Sequence, residues 1–438
     1  MARTNDTSFL HDAAAGVSRR GFLGAAAAGA AAGFAEDMTV LDVLKNPAIA
    51  AEVKKQQKHV ILLWLAGGAS QLETWDPKPW RPTGGPFMPI KTNVPGVEIS
   101  ELLPRMAGRM QDTAIIRSLS TGIGDHGGGA ALMETGRRKE QGLQYPDLGA
   151  IISRELGRAD SQVPDYVSFY TSTEGRRKGT SGFLGARYAP MFLSENMVPP
   201  NIRRLEAVSD IDHKERADLR DLLARRFTQG RKSRNNVLGS HTSAYQRVRG
   251  IMASEQLFNI EDEPTQVRDK YGPTQFAQQC LIARRLVEAG VPFVKVARAW
   301  WDSHGQNFET HQELCADLDH SMHVLLEDLA ERGLLENTLV ITLAEFGRTP
   351  KINPSLGRDH FANAWSTSLT GCGIKGGSVY GKTDADGQNV AEGKIGAGQL
   401  FATIFKALGI DHEKEYFIGA RPLPISDFGA HPVDEVLA

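Results

Sequence analysis

Four short apolar segments constrain the fold of this chain more than any other feature of its sequence. They are Lys58–Ala66, Thr113–Leu119, Val291–Ala297 and Asn337–Leu343. Each is a short run rich in apolar and β-branched residues, which is typical of a strand buried on both faces of a parallel sheet. The chain is therefore predicted to contain a sheet of buried, mostly parallel strands.

A helix is predicted between the last two of these strands. Leucine and methionine recur at helical spacing on one face from Leu314 to Leu329, and Gly333 follows where such a helix would end. Strands that alternate with helices predict an α/β fold with a mostly parallel central sheet. In such folds, functional sites lie beyond the carboxyl ends of the strands.

Composition excludes some classes of function. The 438 residues include 50 Lys and Arg against 52 Asp and Glu, for a net charge of -2. A near-neutral chain is not expected to bind nucleic acid through bulk charge. The three cysteines, Cys280, Cys315 and Cys372, form neither a disulfide framework nor a zinc-binding spacing, although one bridge remains open.

The N-terminal segment has the pattern of a twin-arginine leader. Ser18–Leu23 reads SRRGFL, and a run of Ala and Gly follows from Gly24 to Gly33. This run is too short and too weakly apolar to span a bilayer. We therefore predict a signal peptide over residues 1–35, recognised by the twin-arginine translocase, and a periplasmic or secreted protein without a transmembrane span.

The mature chain, residues 36–438, is predicted to form one domain with a helical insertion at about 202–263. That insertion is polar and rich in Arg, with apolar residues at helical spacing. A solvated helical insertion is the favoured interpretation, because charged helix faces are usually solvated. The alternative is a basic surface for an acidic polysaccharide.

Several potential metal ligands follow predicted strands. Asp302 and His304 lie after the third strand and Glu345 lies directly after the fourth, while His360 lies in a later loop. Oxygen and nitrogen ligands of this kind suit zinc, manganese or iron. A hydrogen-bonded polar loop, or a structural pair between Glu345 and Arg348, would explain the same residues without a metal.

A glycine-rich segment follows the second strand. Asp125 and His126 precede three glycines, Gly127–Gly129, and then a helical stretch. Glycines at a helix start leave backbone N–H groups open to an anion, and a side chain there would face it. A plain glycine-rich turn is the alternative.

These segments together resemble a known family. Asp317–Gly347 is similar to the leucine-rich helix, loop and strand of sulfatases and alkaline-phosphatase-like enzymes, and Ala130–Arg137 to the helix after their nucleophile. The match is closer to the bacterial DUF1501 family, of unassigned function, in that superfamily. Its "GGxSQxxTxDPKP", "EFGRTP" and "GRDH" patterns correspond to Gly67–Pro79, Glu345–Pro350 and Gly357–His360.

The resemblance implies an alkaline-phosphatase-like three-layer sandwich with a two-metal hydrolase site. The residues in ligand positions are Asp302, His304, Glu345 and His360. Two divalent ions (Zn, Mn or Fe) would hold the attacking and leaving oxygens of an ester. Arg117 and Arg348 would then neutralise its non-bridging oxygens.

The chain also departs from the superfamily pattern. Phe346 replaces a His ligand, and the first strand is not followed by the usual Asp, so that Glu73 or Asp76 would have to substitute. His126 stands in the nucleophile position, where it could bind metal, act as a base or attack as the nucleophile. Nearby hydroxyls that could attack instead are Ser118, Ser120 and Thr121.

We therefore expect an exported, metal-dependent hydrolase of phosphate, phosphonate or sulfate esters, acting on a small molecule or a polysaccharide. The missing ligands support an alternative, which is a binding protein on a hydrolase scaffold that has lost its activity. The two hypotheses differ in whether the altered site still supports turnover.

Overall fold

The computed structural model describes residues 57–158, 161, 163–170, 179–193, 197–199, 207–228, 252 and 255–438. The predicted leader, residues 1–35, lies outside them, as does much of the predicted insertion at 202–263. Of that insertion, the structure describes one long helix, Asp210–Thr228. Its apolar side chains Leu219 and Leu223 are exposed.

An eight-stranded sheet forms the centre of the protein. Its strands are β1 (His59–Leu65), β4 (Thr113–Leu119), β5 (Tyr166–Phe169), β6 (Met191–Leu193), β7 (Phe293–Arg298), β8 (Thr338–Leu343), β11 (Trp365–Gly371) and β12 (Val379–Tyr380). They lie in the order β12-β4-β11-β8-β1-β7-β5-β6. Among the described strands of this sheet, β11 alone runs antiparallel to its neighbours, so the sheet is mostly parallel, as predicted.

Eight short strands form four hairpins outside this sheet. They are β2 (Pro89–Lys91) with β3 (Glu98–Ser100), β9 (Gly347–Arg348) with β10 (His360–Phe361), β13 (Lys382–Thr383) with β14 (Val390–Glu392), and β15 (Glu415–Ile418) with β16 (Arg421–Pro424). The second of these pairs places His360 opposite Arg348. That pairing brings two separate sequence motifs into one hairpin.

Helices cover the sheet. They are α1 (Pro104–Ala107), α2 (His126–Thr135), α3 (Leu148–Leu156), α4 (Asp210–Thr228), α5 (Thr265–Tyr271), α6 (Gln275–Glu288), α7 (Asn307–Glu331) and α8 (Ala397–Ala407). Every residue of β1 and β8 is buried, so both faces of the central strands are covered. A sheet with both faces covered makes a three-layer α/β fold.

The predicted strands and helix are confirmed. The second strand has the predicted bounds, and the other three begin and end within two residues of them. Helix α7 contains the predicted leucine stripe but begins earlier, at Asn307. All three cysteines are buried and unbonded to one another. Among the described helices, none has both the length and the apolar character that a membrane crossing requires.

Candidate metal centre

The candidate site lies at one edge of the central sheet. Strands β1, β7 and β8 are parallel neighbours, and β4 runs the same way because both β4 and β8 are antiparallel to β11. The carboxyl ends of these four strands therefore meet at one edge. His126, at the start of helix α2, follows β4, while Asp302 and Glu345 lie in the loops after β7 and β8.

Helix α2 places His126 close to Glu345. The helix begins at His126, and the preceding Asp125 caps it by accepting a hydrogen bond from the backbone of Gly128 at 2.7 Å. A Cβ atom on Gly129 would lie 3.0 Å from the Glu345 carbonyl oxygen and 3.1 Å from the Phe346 ring. The glycine run thus lets this helix approach the turn after β8.

Three side chains converge in the centre of the site. Nε2 of His126 lies 3.2 Å from Oδ2 of Asp302, and Nε2 of His360 lies 3.0 Å from Oδ1 of the same carboxylate. One potential ligand atom from each of the three residues lies within 4.8 Å of the other two. All three side chains are partly exposed to solvent, at 29%, 19% and 23% for His126, Asp302 and His360.

The second nitrogen of each imidazole is held by an oxygen atom. Nδ1 of His126 lies 2.9 Å from Oε1 of Glu345, and Nδ1 of His360 lies 2.8 Å from the carbonyl oxygen of Gly124. An ionised carboxylate or a carbonyl can only accept, so each Nδ1 donates its hydrogen. In a neutral ring, Nε2 then presents a lone pair to Asp302. Histidines that bind metals have this arrangement.

Glu345 is placed behind His126 rather than among the converging ligand atoms. It is fully buried, and its Oε1 accepts from the backbone of Gly67 at 2.9 Å as well as from His126. Its Oε2 has no hydrogen-bond partner in the part of the chain that the structure describes. A buried carboxylate oxygen without a partner is costly unless a cation lies close by.

His304 lies on the solvent side of the same carboxylate. Its Nδ1 is 3.0 Å from Oδ1 of Asp302, and its ring packs edge-on against His360 with the centroids 4.7 Å apart. The side chain is 48% exposed. The predicted Asp302–His304 pair is therefore together in space, with His304 at the mouth of the site.

The buried Arg348 holds Asp302 in place. Its guanidinium donates to the carbonyl oxygens of Gly67, Gly68 and Arg358 and to Oδ1 of Asp302. The sequence predicted that Arg348 would neutralise a substrate oxygen. In the structure the side chain is fully enclosed, so it orients the carboxylate instead of facing solvent.

Hydrogen bonding determines the charge of the cluster. Although burial raises the pKa of Asp302, hydrogen bonds from His126 and His360 and the charge of Arg348 lower it well below its usual range. Hydrogen bonds to Asp302 and Glu345 raise the pKa of His126 to about 9. The site thus attracts a positive charge between its acceptor atoms, either a proton on His126 or a metal cation.

Glu73 and Arg117, which the sequence also suggested, lie in other contacts. Glu73 is buried in an ion pair with Arg358 at 2.7 Å, and it is not among the converging ligand atoms. Burial raises the pKa of Glu73, and the opposing charge of Arg358 lowers it below its usual value. Arg117 donates to the backbone oxygens of Trp75 and Glu98, at 2.9 and 2.6 Å. Both side chains therefore bind protein groups outside the cluster.

The alternative hydroxyl nucleophiles have different surroundings. Ser118 is buried, and a Cβ atom on Gly381 would lie 2.0 Å from its Oγ, so the hydroxyl faces that glycine. Ser120 follows the end of β4 and is half-buried. Thr121 is buried, and its backbone N–H donates to the carbonyl of Ala362 at 2.8 Å. His126, by contrast, lies in the cluster itself.

The sequence interpretation missed the roles of Phe346 and His311. The buried Phe346 ring lies 4.4 Å from the His360 ring and 5.1 Å from the His126 ring, so it forms an apolar wall. His311 lies on helix α7. It is fully buried, and it accepts from the backbone of Ser70 at 3.0 Å. Its spacing from Leu314 and Leu318 on the apolar face of α7 was the available signal.

Comparison with solved structures finds distant likenesses. The PsFucS1 sulfatase from Pseudoalteromonas sp. aligns with a TM-score of 0.41 at 13% identity, over 89% of this chain and 74% of that one. A phosphonate monoester hydrolase from Silicibacter pomeroyi aligns with a TM-score of 0.37 at 12% identity, over 81% and 74%. A magnesium-bound mutant of TAB5 alkaline phosphatase aligns with a TM-score of 0.35 at 12% identity, over 81% of this chain and 99% of that one.

These likenesses are too distant to say anything of the reaction. No curated protein sequence matches the chain. A family profile, described as "Protein of unknown function (DUF1501)", matches residues 57–437. Because this match covers the cluster, the sheet and both ends of the described fold, the chain belongs to the DUF1501 family.

Proposed function

We propose that this protein is an exported, divalent-metal-dependent hydrolase of phosphate or sulfate esters. The observation that carries the proposal is the convergence of His126, Asp302 and His360, with the outer nitrogen of each imidazole held by an oxygen. A neutral imidazole whose hydrogen is on Nδ1 turns the lone pair of Nε2 towards an oxygen of Asp302, and a cation between these atoms removes the repulsion.

The residues present fit a divalent metal. Two imidazoles and one carboxylate are a common ligand set for Zn, Fe or Mn. The buried Oε2 of Glu345, which has no hydrogen-bond partner among the described residues, adds negative charge next to this set. When bound, such an ion acts as a Lewis acid towards an ester oxygen and lowers the pKa of water.

The other residues orient this ligand set. Arg348 fixes the Asp302 carboxylate, while Glu345 and the Gly124 carbonyl each fix one imidazole ring. The partial exposure of His304 and of the three converging side chains leaves one side of the cluster open to an ester from solvent. The buried Phe346 ring packs against both imidazoles and excludes water from the side of the cluster that it covers.

The test is a chelator-sensitive ester screen with the mature protein. We expect hydrolysis of 4-nitrophenyl phosphate, 4-nitrophenyl sulfate or an aryl phosphonate ester, lost after chelation and restored by Zn²⁺, Mn²⁺ or Fe²⁺. His360→Ala should lower kcat at least about 100-fold, because the ligand set loses one of its three members. His431→Ala, at an exposed histidine of the C-terminal segment, is the matched control. Full turnover in the His360→Ala variant would reject the proposal.

A second candidate function is ligand binding without turnover. Two observations favour it: a histidine stands in the nucleophile position, and the guanidinium of Arg348 is enclosed rather than facing solvent. Under this hypothesis the site binds a metal or an anion, but the metal-loaded protein hydrolyses none of the three ester classes. Any hydrolysis that disappears with chelator and in the His360→Ala variant would exclude it.

A further inference from the structure

We propose that the cluster binds a single divalent cation, held by His126, Asp302 and His360, rather than the two that the family resemblance implies. This inference rests on the proposed metal dependence. It concerns the number of ions and the identity of their ligands, which the ester screen does not address.

The arrangement of the two histidines supports a three-residue ligand set. Each ring donates its Nδ1 hydrogen to an oxygen outside the cluster and directs Nε2 towards Asp302. A buried carboxylate behind a histidine is a common outer partner of a metal ligand. Glu345 has this position relative to His126, and it is fully buried. The structure therefore assigns Glu345 to orient a ligand and not to bind the cation itself.

A second cation lacks ligands of its own among the described residues. The carboxylates of the surrounding loops already have partners. Glu73 pairs with Arg358 and Asp76 with Lys78 at 2.8 Å, while Asp125 accepts from the helix backbone and Asp359 from Asn353 at 3.1 Å. His304 remains, and one imidazole does not make a site. Oε2 of Glu345 has no hydrogen-bond partner among the described residues. The carboxylate to which it belongs contacts Nδ1 of His126, the ring nitrogen that faces away from Asp302.

Arg348 also opposes a second cation. In two-metal sites, a shared carboxylate uses one oxygen for each ion. Here Oδ1 of Asp302 already accepts from the guanidinium of Arg348, whose positive charge is fully buried. A second divalent ion at this oxygen would face that charge in a medium of low dielectric constant, which is strongly unfavourable.

The first measurement is the stoichiometry of metal binding by the folded mature protein. The protein is stripped with chelator, loaded separately with Zn²⁺, Mn²⁺ or Fe²⁺, passed through gel filtration and analysed by elemental mass spectrometry. We expect about one equivalent per chain, and a matching stoichiometry from calorimetric titration. Two equivalents would overturn the inference, and so would none. Mg²⁺ should bind much more weakly than Zn²⁺, since Mg²⁺ prefers oxygen ligands.

Single variants test the ligand assignment independently of activity. His126→Ala and His360→Ala should each weaken Zn²⁺ binding at least about 100-fold, whereas Glu345→Gln should weaken it about 10–100-fold and keep a stoichiometry of one. His304→Ala should also keep a stoichiometry of one. His431→Ala is the control, and circular dichroism of each apo variant monitors the fold.

The variants also separate this inference from the proposed function. If His304→Ala reduced the stoichiometry from two to one, the single-cation inference would be wrong although hydrolysis could persist. If one equivalent bound and no ester were hydrolysed, the inference would stand and the hydrolase proposal would fail. Unchanged Zn²⁺ affinity in both His126→Ala and His360→Ala would reject the ligand set itself.

Discussion

Arg348 is the residue on which the geometry of the site depends most. Its guanidinium joins the loop after β1, the loop before β10 and the Asp302 carboxylate, and no part of it reaches solvent. A planar group with five donors can satisfy these acceptors together, which a lysine cannot do. The residue thus stabilises three loops and the position of one potential metal ligand.

Arg348→Met should therefore lower the free energy of unfolding by about 3–5 kcal/mol, because Asp302 and several carbonyl oxygens would lose their buried donor. Urea denaturation measures this change. Arg81→Met is the control: Arg81 pairs with Asp386 at the surface, with both side chains about 40% exposed, and such pairs contribute at most about 1 kcal/mol. Equal effects of the two substitutions would contradict this account of Arg348.

His311 gives a prediction about acid stability. Its Nδ1 donates to the carbonyl of Asn307 at 2.9 Å and its Nε2 accepts from Ser70, so the folded protein requires the neutral ring. Burial lowers the pKa of His311 to about 4, despite the opposing charge of Glu73. The unfolded chain takes up this proton near pH 6.5. The stability that the neutral ring contributes is therefore complete above pH 6.5 and is lost as the pH falls towards 4.

We expect the wild-type protein to lose up to about 3 kcal/mol through this group between pH 7 and pH 4. His311→Gln should be less stable at pH 7 but should lack this component of the pH dependence. The difference between the two unfolding free energies, measured by urea denaturation at several pH values, isolates the contribution. A constant difference across this range would show that His311 titrates normally in the folded protein.

At the scale of elements, helix α2 is fixed to the sheet at both ends. Its first residue contacts the site, and Glu134 in its last turn forms a buried ion pair with Lys295 of β7. Lys295 also lies over the ring of Trp64 in β1, 4.5 Å from its centroid. The helix that carries His126 is therefore held by charge as well as by packing.

Removing one member of this pair should be more damaging than removing both. Lys295→Met is expected to cost about 3–5 kcal/mol of unfolding free energy, since it leaves the Glu134 carboxylate buried without its counter-charge. Lys295→Met combined with Glu134→Leu should recover most of that loss. A double-mutant cycle by urea denaturation measures the coupling, and the exposed pair of Lys406 and Asp434 serves as the control cycle. No recovery in the double variant would argue against the pair as the main cause.

At the scale of the whole molecule, the predicted leader bears on where the proposed metal site is loaded. The twin-arginine route carries folded proteins, so export and metal loading are linked in the proposed function. Replacing both Arg19 and Arg20 by Lys should leave the uncleaved precursor in the cytoplasm, because this route requires the arginine pair. Cell fractionation with immunoblotting checks this. Normal appearance of the shortened protein in the periplasm would reject the predicted route.

The sequence predicted the layered architecture and most of the residues that meet at the site. The apolar segments predicted four strands of the sheet to within two residues at each end. Such strands can be predicted locally because a strand that is buried on both faces needs a continuous apolar run. The family patterns pointed to Asp302, His304 and His360, and the side chains of these residues lie together in the structure. The predicted ligand roles remain for metal binding to test.

Other features depended on the tertiary structure. A sequence cannot distinguish an arginine that faces a substrate from one enclosed by carbonyls. The structure shows that Arg348 is enclosed and that Arg117 donates to a backbone oxygen. In the same way, Glu345 was expected to bind a metal, and in the structure its carboxylate contacts Nδ1 of His126. Hydrogen-bond partners separated by more than 200 residues are fixed by the packing of loops, and no local pattern records them.

The sequence by itself determined the class of fold, because the fold class follows from local hydrophobic periodicity. It also determined at which end of the strands the candidate site lies and which types of side chain are found there, because polar residues directly after strands indicate both. The tertiary structure decided which nitrogen of each histidine faces the cluster, which carboxylate lies behind it and which charges are already paired. Those properties depend on distances of about 3 Å between atoms far apart in the chain, and only the folded protein sets such distances.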